Sequence, residues 1–428
     1  MKQTRKKHPL LLRVLLGLFA ALILAACVYG RFGGFGTGKS ADTAEFAKYA
    51  APVSKLTVPD QAKIIALGEA THGNAEFQQL RLDVFQIAVG QYGVRAFALE
   101  ADCGCCEIAN RYIHGGDGTA EQAAAALGFQ IDRTDETAQL LHWMRAYNEQ
   151  AAEGEDLRLY GFDMQRFPEE LVCLLEAAKA AGADTAALEP LLADDASAGT
   201  DNGSQTEALV LALKAELLML DTPQAAQAAH YADVALQNLQ LGKAMENPLA
   251  GMALRDKLMA DNVQWVLAQE QARGNARIFL SGHNGHISQS GSYDAENDFM
   301  GHILADAVGQ DAYFAIGTDF YKATVNMPKG SEKRTRFTVY SHDPLAKAAK
   351  NCGYDICWLD FSKIPESSAL KSQVEDYCFM GNLGENQLTL LNRLVMRAVP
   401  YTYRLWGSPA ALYDGMIFVT QAHPTQIR

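Results

Sequence analysis

No Gly-x-Ser-x-Gly pentapeptide occurs in the 428 residues. That pattern carries the nucleophile of serine hydrolases built on α/β sheets, so its absence argues against an acyl-enzyme route. Basic charge is in deficit: 37 Lys and Arg stand against 50 Asp and Glu, a formal net charge of −13. An acidic surface repels phosphate backbones, so no nucleic-acid partner is expected. No internal repeat is present, so the chain is not an array of small stacked units. Cys103-Gly104-Cys105-Cys106 lacks a second well-spaced Cys or His pair nearby. It reads as small buried thiols or one local disulfide rather than as a metal or redox cluster. Setting Cys27 aside, seven cysteines remain (Cys103, Cys105, Cys106, Cys173, Cys352, Cys357 and Cys378), and an odd number leaves at least one unpaired.

What is present is an ordinary globular composition, 49% hydrophobic and 20% charged. The length suits one large domain or two medium ones. The first thirty residues read as a segment outside the fold. Lys2, Arg5, Lys6 and Lys7 precede an apolar run from Leu10 to Tyr29 broken only by Arg13 and Gly17. This is a secretory signal or a signal anchor with its basic end in the cytoplasm. Two endings are open. Leu24-Ala25-Ala26-Cys27 resembles a lipobox in which Cys27 is lipidated after cleavage, or the segment stays as an uncleaved helix. Both place residues 46–428 outside the cytoplasm, tethered to a membrane.

Gly33-Gly34-Phe35-Gly36-Thr37-Gly38-Lys39-Ser40 matches the phosphate-binding pattern GxxxxGK[ST]. That loop needs a buried strand before it and a helix N-terminus after it. Here a membrane segment precedes it, so residues 31–45 read as a Gly-rich linker.

In the body, apolar runs at 63–67, 94–99, 157–160, 276–280 and 312–316 read as buried strands, separated by helical stretches such as 76–92, 134–152 and 254–272. Such alternation predicts an α/β fold, a mostly parallel sheet with flanking helices. Residues 168–271 hold no convincing strand and read as an inserted helical subdomain or cap. Further strands are expected at 336–340 and 356–361.

Each strand is followed by polar residues: Glu69 and His72, then Glu100 and Asp102, then Asp163 and Gln165, then His283 and His286, then Thr318 and Asp319. Ligands of open parallel sheets bind at the carboxyl edge of the strands, so these clusters converge on one crevice. Asp102 and Asp319 read as helix N-caps. Glu69 and His72 share one Gly-flanked turn, and His283 and His286 flank the turn dipeptide Asn284-Gly285, so both pairs read as functional. His114, His142, His230, His302, His342 and His423 have no such context and read as surface or packing residues.

Ala66-Leu67-Gly68-Glu69-Ala70-Thr71-His72-Gly73 and Ala98-Leu99-Glu100-Ala101-Asp102 resemble the signatures of the erythromycin esterase family, which includes succinoglycan biosynthesis-type proteins. Asn110-Arg111-Tyr112, Arg133-Thr134, Leu159-Tyr160-Gly161-Phe162-Asp163-Met164-Gln165, Arg255-Asp256, Met259-Ala260-Asp261-Asn262, His283-Asn284-Gly285-His286 and Ala315-Ile316-Gly317 continue the match in order over residues 60–320. The resemblance implies hydrolysis of a small-molecule ester or lactone by histidine-activated water, macrolide lactones being the family's known case. It assigns His72 as the base, with Glu69 and Glu100 orienting it or the water and His283 and His286 completing the site. Arg81 and Arg255 would bind substrate or stabilise an oxyanion, alongside Asp163 and Gln165. No cofactor and no metal are expected. The same Glu/His inventory is also competent to bind zinc or manganese, as in a metal-dependent hydrolase or peptidase. A third reading is a non-catalytic envelope binding protein.

Overall fold

The computed structural model describes residues 9–31, 40–192, 203–330, 333–341, 343–385, 387–398 and 403–428. Its strands are β1 (Ala50–Ala51), β2 (Ile64–Glu69), β3 (Ala96–Asp102), β4 (Arg158–Asp163), β5 (Ile278–His283), β6 (Tyr313–Pro328), β7 (Arg334–Tyr340), β8 (Ile356–Asp360), β9 (Cys378–Gly381), β10 (Arg404–Gly407) and β11 (Gly415–Ala422). The main sheet runs β1-β8-β11-β6-β2-β5-β3-β4, with β7 paired to β6. From β11 to β4 every pairing is parallel; β1, β8 and β7 add antiparallel edges. β9 and β10 form a separate antiparallel pair. The expected mixed α/β architecture, mostly parallel, is therefore the observed one.

The central strands are apolar without interruption because both faces of the sheet are covered. Ile65, Leu67, Phe97 and Leu99 pack into one core layer, Ile64, Ala66, Ala96 and Ala98 into the other. The first layer is closed by helices including Ala75–Tyr92 and Asp135–Asn148, the second by Pro248–Ala272 and Met300–Val308. Between β4 and β5 the described residues are helical, with no strand. Phe167–Ala181, Gly203–Met219 and Pro223–Ala244 bury a small core of their own. Their starts are written locally: Pro168 and Pro223 sit in the first turn, and Thr222 accepts the amide of Ala225.

Several expectations need correction. Strand β6 does not stop at residue 316; it continues to Pro328, because β11 pairs along it on one side and β7 on the other. Thr318 and Asp319 thus lie inside a strand, and Asp319 caps no helix. It accepts the amides of Phe320 and Gly381 instead. Asp102 sits just before the helix Cys103–Ile113 but makes no side-chain cap; it accepts the Arg166 amide at 2.7 Å. Glu69, Glu100, Asp163 and His283 lie within the ends of β2, β3, β4 and β5 rather than after them. Strands β1, β9, β10 and β11 lie outside the expected runs, although Met416 to Val419 is a legible apolar signal. The linker ends early, since the helix Thr43–Tyr49 begins inside it. Residues 33–39 of the phosphate-loop match, and His342, lie outside the described residues.

The four cysteines around the Cys103 cluster, including Cys173, are buried free thiols. His230 stacks on Trp265 at 3.7 Å, a packing role. The N-terminal helix Pro9–Arg31 contains an 18-residue apolar stretch, Leu12–Tyr29, long enough to cross a membrane. It is not wholly separate from the fold: Cys27 contacts the carbonyl of Leu394.

Candidate active site

Register builds the site. Glu69 and His283 are direct partners at the carboxyl ends of the adjacent strands β2 and β5. Leu99 pairs with Ser281, which sets Glu100 beside the same end, and Asp102 pairs with Asp163 on the outer strand. Gly68 is required by close approach, because a Cβ there would lie 2.2 Å from the Asn284 side chain. Asn284 in turn ties the strands: its Oδ1 accepts the Thr318 amide and its Nδ2 donates to the carbonyls of Thr318 and Gly381.

After β2 the chain turns sharply. The Ala70 amide donates to Thr318 Oγ1 at 2.8 Å, and Asn74 donates to the carbonyls of Thr324 and His423. The turn thereby holds His72 over Glu69, with Nδ1 3.0 Å from Oε2. Assigning the Nδ1 proton to this bond leaves the Nε2 lone pair free. The His72 ring lies 4.7 Å from that of His283.

Two arginines, Arg81 buried and Arg255 half-buried, frame the imidazoles. Arg81, from the helix Ala75–Tyr92, donates to Glu69 at 2.8 Å and to Asp132 at 3.2 Å. Arg255, from Pro248–Ala272, donates to Asp163 at 2.6 and 3.0 Å and to Glu100 at 3.0 Å. Glu100 also accepts the His283 amide at 2.7 Å. His286, on the short helical turn Asn284–Ile287, places Nδ1 2.6 Å from Asp256 and Nε2 3.5 Å from Glu100.

These contacts set the protonation states. Burial pushes the Glu69 carboxyl up, but the Arg81 charge and the His72 bond outweigh it and hold it below the usual range. Burial alone would lower His72; the hydrogen bond and charge of Glu69 raise it above an ordinary imidazole. His286 behaves likewise, with Asp256 and Glu100 overcoming burial. His283 has no carboxylate of its own, so burial and the neighbouring imidazoles push it well below. Its Nε2 has no hydrogen-bond partner among the described residues. Glu100 is held down against burial by His286 and Arg255. Burial lifts Asp132 to about 6.

All of this faces one cavity of about 840 Å³. His72, Arg81, Glu100, Asp163, Gln165 and Arg255 line it, with His283 and His286. Glu69 sits behind His72, buried. Of the nine residues singled out in the sequence, the structure brings every one to this cavity or its immediate backing. It adds Asp132 and Asp256, which hold Arg81 and His286, and a wall formed by Asn382, Gly384, Glu385 and Gln387. Asp256 was legible only as a neighbour of Arg255, and Asp132 carried no signal. Among the described residues, no group of three or more His, Cys, Asp or Glu side chains is disposed to hold a metal ion.

A carboxylate-backed imidazole at the carboxyl edge of a parallel sheet, flanked by a neutral imidazole and ion-paired arginines, defines a hydrolase-type site on an α/β scaffold. The sequence pattern of the family described as erythromycin esterase matches residues 89–422, most of the chain, and the protein belongs to that family of esterase-type hydrolases. It is 25% identical over 351 residues to the erythromycin esterase type II of Escherichia coli, covering 71% of this chain and 82% of that one. Among solved structures, it is similar to a Bacillus cereus protein with a TM-score of 0.70 at 20% identity, covering 91% of this chain and all of that one. A succinoglycan biosynthesis protein matches with a TM-score of 0.70 at 16% identity, over 90% and 98% of the two chains. A histidine variant of the erythromycin esterase EreC, in its open conformation, matches at 0.60 and 16% identity, over 86% and 92%. At these identities the structural likenesses speak for the fold alone. The matched family span begins after the Glu69–His72 turn, so the role of that turn rests on geometry.

Proposed function

We propose that this protein hydrolyses a carboxylic ester or lactone by direct attack of water, with His72 as general base. The observation that carries the reading is the bond between His72 Nδ1 and the charged Glu69, which leaves Nε2 basic at the cavity. In the step, Nε2 takes a proton as water oxygen bonds to the carbonyl carbon. The carbonyl π electrons move to oxygen, giving a tetrahedral oxyanion. Collapse expels the alkoxide, which takes the proton back from His72, so ester and water become acid and alcohol. Arg255, and His286 in its protonated form, can stabilise the oxyanion, and the unpartnered Nε2 of His283 is free to hydrogen-bond to the water. Arg81 keeps Glu69 ionised; Asp163 and Gln165 shape the polar wall that binds the substrate. The name of the Escherichia coli relative makes a macrolide lactone one candidate substrate. We further place the catalytic domain on the outer face of a membrane, held by the helix Pro9–Arg31 or by a lipid on Cys27, a reading supported by the basic residues before the apolar stretch.

His72→Ala and His72→Asn are the direct tests. Each should keep the fold by circular dichroism and lower kcat on an ester panel by about 10²–10⁴-fold. A folded His72→Ala protein with ordinary turnover would reject the central assignment.

A further inference from the structure

The helix Leu390–Ala398 is amphipathic in an unusual way: its apolar side chains face outward. Leu390 and Leu391 are 76% and 69% exposed, and Leu394 and Val395 are exposed beside them. At 100° per residue these four positions fall on one arc of the helix, while Met396 on another side is buried in the main core. An exposed apolar face of this kind marks a contact surface.

Three observations identify what covers it. First, the N-terminal helix packs against this one, Cys27 Sγ meeting the Leu394 carbonyl. Second, Cys27 lies two residues from the outer end of the apolar stretch Leu12–Tyr29. At 1.5 Å rise per residue that is about 3 Å along the axis, so the contact sits at the depth of a bilayer interface. If instead the chain is cleaved and lipidated, Cys27 is itself the lipid attachment point, and the same face lies beside the acyl chains. Third, the segment before this helix walls the catalytic cavity through Asn382, Gly384, Glu385 and Gln387, and Leu383 is pinned to the turn of His72 by its amide, which donates a hydrogen bond to the Ala70 carbonyl.

From this we infer that the helix Leu390–Ala398 lies in the outer membrane–water interface and holds the catalytic cavity at the lipid surface, so that the enzyme takes amphiphilic esters that partition into the bilayer. This rests on the membrane-tethered esterase reading above, and the occupant it names is the lipid interface. The outward leucines sink among the acyl chains, and the cavity wall continuous with the helix then stands at headgroup level.

Full-length protein in phosphatidylcholine–phosphatidylglycerol vesicles tests it, in a Cys352→Ser background. A polarity-sensitive fluorophore on Leu391→Cys should be quenched by spin-labelled acyl chains. The same fluorophore on Gln271→Cys, at the amino edge of the sheet, should not be. Leu390→Glu with Leu391→Glu should leave hydrolysis of a short, water-soluble ester unchanged and lower hydrolysis of a long-chain ester embedded in vesicles at least tenfold. Equal quenching at both positions, or equal rates on the embedded ester, would overturn the proposal, as would a crosslinked dimer that shields position 391 from lipid. Protein that fails to float with vesicles overturns both the proposal and the anchor. A wild-type protein inactive on both esters sinks the esterase reading, yet the quenching result still decides where the helix lies.

Discussion

Replacing Glu69 by Gln isolates the charge behind His72 while keeping the volume of the side chain. In the wild type, Oε2 of Glu69 accepts from both His72 Nδ1 and Arg81 Nη2. The Gln carbonyl oxygen can take the place of Oε2 and still accept from both, so the tautomer is kept and the negative charge alone is lost. The imidazolium that forms on His72 as it takes the proton of water then has no counter-charge beside it, so we expect kcat to fall, by up to about 10²–10⁴-fold, the whole contribution of a general base. Stability should drop by about 1–3 kcal/mol, because Arg81 retains Asp132 at 3.2 Å but loses one charged partner. The pH dependence adds a second readout. Glu69 raises His72, and only the neutral imidazole is a base, so the wild-type acidic limb should lie above the ordinary imidazole value of about 6.5. Removing the carboxylate leaves burial opposed only by the charges of Glu100 and Glu385, which moves the limb to lower pH. The linked stability has two sides. The His72 share is complete below the unfolded imidazole value and is lost as pH rises through the raised one. The Glu69 share is present above the unfolded carboxyl value and is lost as pH falls through the lowered one. Initial rates on a chromogenic ester from pH 5 to 9, with thermal melts alongside, measure all of this. A folded Glu69→Gln protein with near-normal kcat and an unmoved acidic limb would refute the reasoning.

Three further outcomes are expected. Asp256→Asn removes the charge that raises His286 and weakens the bond from the Met300 amide, so activity should fall by about 10–100-fold, as for a lost partner of a functional imidazole, with stability down by about 1–3 kcal/mol; steady-state kinetics and urea melts check both. Exhaustive dialysis against a chelator should leave hydrolysis unchanged, and a loss restored by zinc or manganese would favour the metal-dependent alternative. Protein lacking residues 1–31 should stay in the soluble fraction while the full chain sediments with membranes, and Cys27→Ala should abolish acyl labelling only if the lipidated ending is the real one.

The sequence alone determined whatever depends on a few consecutive residues. Buried strands covered on both faces must be uninterrupted apolar runs, so 63–67 and 276–280 were visible before any pairing was known. Glu69 and His72 share one turn, as do His283 and His286, so their proximity is local and the motif carries it. The lack of any strand-like run across 168–271 likewise announced the helices between β4 and β5. What needed tertiary structure is whatever joins distant segments. That β6 runs on through Asp319 depends on neighbours β11 and β7, although the alternation of Ala323, Val325 and Met327 with Lys322, Thr324 and Asn326 is a strand signal the sequence does carry. The meeting of Arg81 with Asp132 depends on how a loop packs on a helix, and that of His286 with Asp256 on how a helix packs beside a strand end. The wall of Asn382, Glu385 and Gln387 comes from a polar loop whose composition differs from no other surface loop. Its place beside His72 is fixed by the hydrogen bond from the Leu383 amide to the Ala70 carbonyl and by others to distant segments, such as that from the Leu388 amide to the Pro328 carbonyl. Side-chain chemistry is encoded residue by residue, but the electrostatic environment that makes an imidazole a base is set by the charges the fold brings around it.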